Sequence, residues 1–148
     1  ITLIGTVSIT EDGEGNVTGV YLPNSNLPCM EEAETDVLLE AADQLNGYFS
    51  GKRRTFDLTL SYDGSEFRVS VLDALREIPY GEIRTYAEVA EAVGSPRAYR
   101  AVGTACAENP LPIIIPCHRV VPSSGGVGSY TSGSAMKRRL LDFERENL

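Results

Sequence analysis

The chain has 148 residues, with 13 basic and 21 acidic side chains, a single histidine and a formal net charge of −8. It is long enough to bury a real core as one ordinary domain or two small ones, and 42% apolar and 23% charged content is ordinary for a soluble globular protein. No apolar run approaches the ~18 residues of a membrane span, three cysteines are too few and too scattered for a disulfide framework, and one histidine without a CxxC pair leaves no ordinary zinc site. A reducing, cytoplasmic setting without metal follows as an expectation.

The acidity is unevenly spread. Residues 1–64 hold 3 basic and 11 acidic side chains, whereas residues 65–148 hold 10 of each. The C-terminal part is therefore free to present a local basic face to a polyanion. Only two of the basic residues are lysines, Lys52 and Lys137.

In chain order, β-branched Thr2–Ile9 predicts a strand, Glu11–Asn16 a polar turn and Val17–Leu22 a second strand. Pro23–Pro28 reads as loop. Leu38, Ala42, Leu45 and Phe49 fall on one face of a helix predicted over about Glu34–Phe49. In Thr55–Tyr62, Phe56, Leu58, Leu60 and Tyr62 alternate with polar residues, the pattern of a strand with one wet face. Asp63-Gly64-Ser65 is the break, giving two domains, 1–64 and 65–148.

Ser65 caps a helix with Phe67, Val71, Ala74, Leu75 and Ile78 on one stripe, ended by Pro79-Tyr80-Gly81. Thr85 with Glu88 three residues on is a capping-box pattern, opening a helix whose buried face is Tyr86, Val89, Ala90 and Val93. Gly94 stops it, and Ser95-Pro96 is expected to start the next as N-cap and N1. Two short helices around a glycine turn are a helix-turn-helix candidate. On the second, Tyr99, Val102 and Cys106 share one side; Arg97, Arg100, Ala101 and Thr104 share the other. That face suits close approach to nucleic acid, and equally an ordinary solvated surface.

The most informative stretch is Ile113-Ile114-Ile115-Pro116-Cys117-His118-Arg119, which sets the only histidine beside a cysteine. Cysteine is the strongest side-chain nucleophile near neutrality, and imidazole is the natural base for it. Cys106, on an apolar helix face, reads as a small hydrophobe, and Cys29 as incidental.

Ile78-Pro79-Tyr80-Gly81-Glu82, Thr85-Tyr86, Arg100-Ala101-Val102-Gly103, Asn109-Pro110, Ile115-Pro116-Cys117-His118-Arg119-Val120-Val121, Gly128-Ser129-Tyr130 and Leu140-Leu141 together resemble the O6-alkylguanine-DNA alkyltransferases. Gln44-Leu45, Tyr48-Phe49-Ser50-Gly51 and Phe56-Asp57-Leu58 extend the likeness more loosely into the N-terminal part. The resemblance implies an α/β N-terminal ribonuclease-H-like domain and a mostly α C-terminal winged-helix-like domain carrying the helix-turn-helix. It implies a monomer without cofactor, acting on double-stranded DNA that contains O6-alkylguanine, in the cytoplasm or in a eukaryotic nucleus.

By the same resemblance Cys117 takes the alkyl group once and irreversibly, after the base is flipped from the minor groove, with O4-alkylthymine as a second possible substrate. The resemblance also has His118, oriented by Glu144, act on Cys117 through a water; adjacent side chains of an extended Cys117-His118 would point apart, which disfavours a direct bond. Tyr86 donates toward the guanine; from the residues alone it is equally a helix-core tyrosine. Arg100 fills the gap left by the extruded base, and Asn109 bridges the helices to the cysteine segment or simply makes a turn before Pro110. Ala98, Ala101, Arg119, Val120, Ser123, Tyr130 and Thr131 complete the expected DNA and base contacts. Ser123-Ser124-Gly125-Gly126 matches a flexible wing. The alternative is a non-catalytic alkyl-damage-binding protein, against which the presence of Cys117 argues.

Overall fold

The computed structural model describes residues 4–23, 27, 32–130 and 132–148, so the expectations for Cys29 and Thr131 lie outside the described residues. The architecture is mixed α/β, with five α-helices and two two-stranded sheets among the described residues. Contacts divide it into two compact units, Ile1–Tyr62 and Asp63–Leu148. No helix of the described residues is long and apolar enough to cross a membrane.

In the first unit β1 (Ser8–Glu11) pairs antiparallel with β2 (Val17–Tyr21), Ser8 opposite Tyr21 and Ile9 opposite Val20. The turn between them is held by one carboxylate. Asp12 accepts from the Glu14 amide at 2.7 Å, the Asn16 amide at 3.2 Å and the Asn16 side chain at 2.8 Å. Strand structure thus reaches Glu11, two residues beyond the expected end.

Helix α1 (Asp36–Phe49) starts from Thr35, whose hydroxyl accepts from the Leu38 amide at 3.2 Å. Its buried stripe is Ala41, Gln44, Leu45, Tyr48 and Phe49, rotated from the expected one because Gln44, a polar residue, faces inward. The Gln44 amide accepts from the Asp57 N–H at 2.9 Å and donates to the Asp57 carbonyl at 3.1 Å. This explains a correction: 55–62 is not a strand. Its alternation survives, Phe56, Leu58, Leu60 and Tyr62 being half-buried between exposed neighbours. Yet only Leu60 bridges to Val17, since a side chain has taken the backbone groups that a ladder would use.

The second unit opens with α2 (Glu66–Leu75), capped by Ser65 through the Arg68 amide at 3.1 Å. Helix α3 (Tyr86–Ala92) carries the full capping box: Thr85 Oγ1 accepts from the Glu88 amide at 3.1 Å, and Glu88 accepts from the Thr85 amide at 3.0 Å. Gly94, at φ +80°, ends α3 in a Schellman arrangement, with Gly94 N–H to Glu91 O and Ser95 N–H to Ala90 O.

Helix α4 (Tyr99–Ala107) starts three residues later than expected. Ser95 to Ala98 form a turn, Ser95 accepting from the Ala98 amide at 2.8 Å, and the N-cap is Ala98 with no side-chain cap bond. That shift exposes Tyr99, at 47%, leaving Val102, Ala105 and Cys106 as the buried face. Helices α2, α3 and α4 pack on one another. Behind them β3 (Arg84–Thr85) pairs in parallel with β4 (Val120–Val121). The final helix, α5 (Ser134–Glu146), buries Lys137, Leu140, Leu141 and Glu144.

Candidate active site

The segment between α4 and β4 is apolar and buried, from Leu111 through Val121, so its backbone needs protein partners. Asn109 supplies two. Its Nδ2 donates to the Ile115 carbonyl at 2.9 Å and its Oδ1 accepts from the Leu111 amide at 2.9 Å. Ile113 sits at φ +76°, a conformation that a β-branched residue reaches only when its surroundings impose it, at about 1–3 kcal/mol. The buried isoleucines and the Asn109 bonds provide that constraint.

Cys117–Arg119 form one turn of 3₁₀ helix, not the extended strand expected. Successive side chains on such a turn diverge by about 120°, so neighbours in sequence still part company in space. Cys117 lines a cavity of ≈ 120 Å³ together with Tyr86, Gly103, Cys106, Ala107, Ser129 and Tyr130. His118 and Arg119 turn instead to Glu144.

Glu144 is 1% exposed, and its carboxylate is met by Gly81, His118 and Arg119. Oε1 accepts from Arg119 Nε at 2.8 Å and from the Gly81 amide at 3.0 Å; Oε2 accepts from Arg119 Nη2 at 3.0 Å and meets His118 Nε2 at 2.6 Å. Arg119 Nη1 donates to the Ile78 carbonyl at 2.7 Å, and its guanidinium lies 5.5 Å from the centre of the Tyr80 ring. The Gly81 amide reaches the carboxylate because residue 81 adopts φ +79°, and a β-carbon there would run into Leu148.

These contacts fix the charge states. Burial alone would raise the Glu144 pKa, but the bonds and charges of His118 and Arg119 hold it well below the usual carboxylate range. Burial pushes His118 downward, against the pull of Glu144, so the imidazole is neutral near pH 7. A carboxylate can only accept, so the one ring hydrogen sits on Nε2. Nδ1 is left as a bare acceptor with no hydrogen-bond partner among the described residues.

Burial also pushes the Cys117 thiol up to about 11, moderated by a hydrogen bond from Asn109 and the charge of Lys137. Cys106 is pushed to about 12 by burial and the nearby Cys117. Tyr86 goes to about 12 by burial and the two cysteines. The Tyr130 hydroxyl is buried with no partner among the described residues. Among those residues no group of three or more His, Cys, Asp or Glu is set to hold a metal ion.

The cavity adjoins an open groove of ≈ 430 Å³ along α4, lined by Tyr86, Tyr99, Arg100, Gly103, Thr104, Ala107, Pro122, Gly128 and Ser129. Four residues, Tyr86, Gly103, Ala107 and Ser129, line both. Arg100, Ala101 and Thr104 are exposed on α4, Ala98 is half-buried at its start, and Ser123 is exposed in the turn after β4. Val120 is fully buried in β4.

Arg119 is the correction. It is 5% exposed, with three of its nitrogens bonded to Glu144 and Ile78, and cannot reach a DNA surface. Lys137 is the omission: 1% exposed, on the same buried stripe of α5 as Glu144. Its position was legible, since Lys137, Leu140, Leu141 and Glu144 share one helical face at i, i+3, i+4 and i+7.

Arg119→Ala leaves Glu144 charged and buried without the two guanidinium bonds. The expected loss is about 3–5 kcal/mol of folding stability, read by urea denaturation; a variant of unchanged stability with weakened DNA binding would contradict this role. The raised Cys117 pKa also has a signature. Labelling of Cys117 by iodoacetamide in the free protein should keep rising about tenfold per pH unit between pH 7 and 10, where a free cysteine levels off near 8.5. A plateau at or below pH 8.5 would contradict it.

The model of the 6-O-methylguanine DNA methyltransferase DNA-binding domain matches residues 66–146. A methylated-DNA–protein-cysteine methyltransferase of Methanosarcina barkeri is 57% identical over 109 residues, 74% of this chain and 69% of that protein. A constitutive methyltransferase of the same name from Bacillus subtilis is 43% identical over 152 residues, 97% of this chain and 92% of its own. The crystal structure of Mycobacterium tuberculosis OGT in complex with DNA matches with a TM-score of 0.90 at 38% identity, over 97% of this chain and 89% of that one. With a thiol-lined cavity inside the matched segment and sequence likeness across both units, the chain belongs to the methylated-DNA–protein-cysteine methyltransferase family.

Proposed function

We propose that this chain repairs DNA by transferring the alkyl group of O6-alkylguanine irreversibly to Cys117. The observation that carries the reading is a cavity holding the Cys117 sulfur beside an open groove that carries Arg100. The thiol proton leaves through a water to His118 Nδ1, the bare acceptor defined by the ionised Glu144. Sγ then bonds the alkyl carbon as the carbon–O6 bond breaks, and the electron pair passes into the guanine. Tyr86, on the cavity wall, donates toward the purine N3 and eases that departure.

A thiol at about 11 is ionised in roughly one molecule in ten thousand at neutral pH. Burial therefore keeps the nucleophile protonated and inert until a substrate is in place and the thiol proton passes to His118. Its ionisation is worth more here than for an exposed cysteine, a few per cent of which is already thiolate. The rest of the acceleration comes from holding the alkyl carbon about 3–3.5 Å from sulfur. No group in the cavity could hydrolyse a thioether, so each chain works once.

An atom inside a duplex is reached by flipping the base out, at a cost of a few kcal/mol. Helices α3 and α4 act as a helix-turn-helix, with the exposed Arg100 and Ala101 in the minor groove and Arg100 filling the vacated stack. The exposed Ser123 turn serves as a wing, Ala98 as backbone support for α4, and Val120, Tyr130 and Thr131 as the wall around the base. The N-terminal unit is of ribonuclease-H-like type and the second of winged-helix type, in a cytoplasmic monomer that needs no cofactor.

Duplex DNA carrying O6-methylguanine labelled in its methyl group tests the reading. One label per chain, on Cys117 by peptide mapping, with no turnover beyond one equivalent, is the expected result. Label remaining on the DNA points to a non-catalytic damage-binding protein, and label on Cys29 or Cys106 would equally overturn the assignment.

A further inference from the structure

Lys137 is a buried cation that the triad of Cys117, His118 and Glu144 does not use. It is 1% exposed, and no carboxylate of the described residues lies within ion-pair distance of it. Burying an ammonium without a counter-ion costs folding free energy, so its partners show what the position supports. Nζ lies 3.4 Å from the Tyr86 hydroxyl and 3.3 Å from the Ser129 carbonyl, and 5.5 Å from the centre of the Tyr86 ring. Both Tyr86 and Ser129 line the cavity that holds the Cys117 sulfur.

The chemistry of these groups is directional. An ammonium has three hydrogens and no lone pair, so it can only donate. A phenol can donate or accept, and beside Lys137 its oxygen must accept. That consumes a lone pair and leaves the Tyr86 hydrogen with no competing acceptor on the lysine side. The cavity, which Tyr86 lines, is the side left open to that hydrogen. The electrostatic coupling of Lys137 with Cys117 and Cys106 puts the ammonium in the same field as the nucleophile.

We propose that Lys137 is a positioning residue for alkyl transfer: its ammonium, donating to the Tyr86 oxygen, aims the Tyr86 hydroxyl hydrogen at the purine in the cavity. This rests on the reading of Tyr86 as the donor to the departing guanine. Lys137 touches neither the base nor the alkyl group; it acts through the phenol. Without it, the phenol hydrogen is free to rotate away from the base, and the ordering lost is paid at the transition state.

A double-mutant cycle on single-turnover methyl transfer, at saturating O6-methylguanine duplex, tests this with wild type, Tyr86→Phe, Lys137→Met and the double variant. Duplex affinity and thermal unfolding are measured alongside. Each single variant is expected to slow transfer by about tenfold or more, the scale of a lost proton donor, while duplex affinity is retained. Adding Lys137→Met to Tyr86→Phe should then cost less than about twofold, because the hydroxyl to be aimed is already gone. Equal slowing by Lys137→Met in both backgrounds, or none in the wild type, overturns the proposal alone. If Tyr86→Phe itself transfers at the wild-type rate, the reading of Tyr86 as donor fails first. Should Lys137→Met not fold, Lys137→Leu, which likewise has no donor for the Tyr86 oxygen, serves the same cycle.

Discussion

A single carboxylate, that of Glu144, ties together the parts of the second unit on which the site depends. Donors from three residues at two places in the chain, Gly81 after α2 and both His118 and Arg119 on the 3₁₀ turn, converge on this side chain of α5. A carboxylate has about four lone-pair sites, and all are taken. A buried charge is tolerated only when it is so satisfied, which makes the arrangement nearly all-or-none. The Arg119 guanidinium neutralises the charge and braces it against the Ile78 carbonyl. What remains is a fixed acceptor that dictates which nitrogen of His118 carries the hydrogen.

From that constraint the division of labour in the site follows. Glu144 and Arg119 cancel one another, and burial keeps His118 neutral and Cys117 protonated. The resting site thus holds its thiol and its imidazole in uncharged forms, with the Lys137 ammonium against Tyr86 and Ser129 of the cavity wall. In the proposed reaction, proton transfer from thiol to imidazole would create a thiolate and an imidazolium together, with the ionised carboxylate of Glu144 and the Lys137 ammonium nearby to stabilise them. The buried isoleucines and the Asn109 bonds hold the cysteine segment in place, the unfavourable φ of Ile113 included.

Much of this was legible in the sequence, and the failures have physical causes. Thr85 and Glu88 announced α3 because a capping box is a local interaction. Gly94 announced its end because only a residue tolerant of positive φ closes a Schellman turn. The start of α4 was misplaced because Ser95 and Pro96 satisfy a turn as readily as an N-cap. The strand at 55–62 was lost to Gln44, a partner 13 residues away that no local pattern discloses. At the site, Cys117 and His118 stood out by chemistry, and Glu144 by resemblance. Arg119 was placed among the DNA contacts by resemblance; only the fold reveals the carboxylate it serves. Lys137 went unnoticed because a lysine on an apolar stripe reads as solvated.

The central claim is that Glu144 fixes His118 as a neutral imidazole with its hydrogen on Nε2 and a lone pair on Nδ1. Since the chain has one histidine, the ring nitrogens of ¹⁵N-labelled protein can be assigned without ambiguity by NMR. At pH 7 the account predicts the Nε2–H tautomer, uncharged, with Nδ1 unprotonated. A dominant Nδ1–H tautomer, or an imidazolium at that pH, would contradict it.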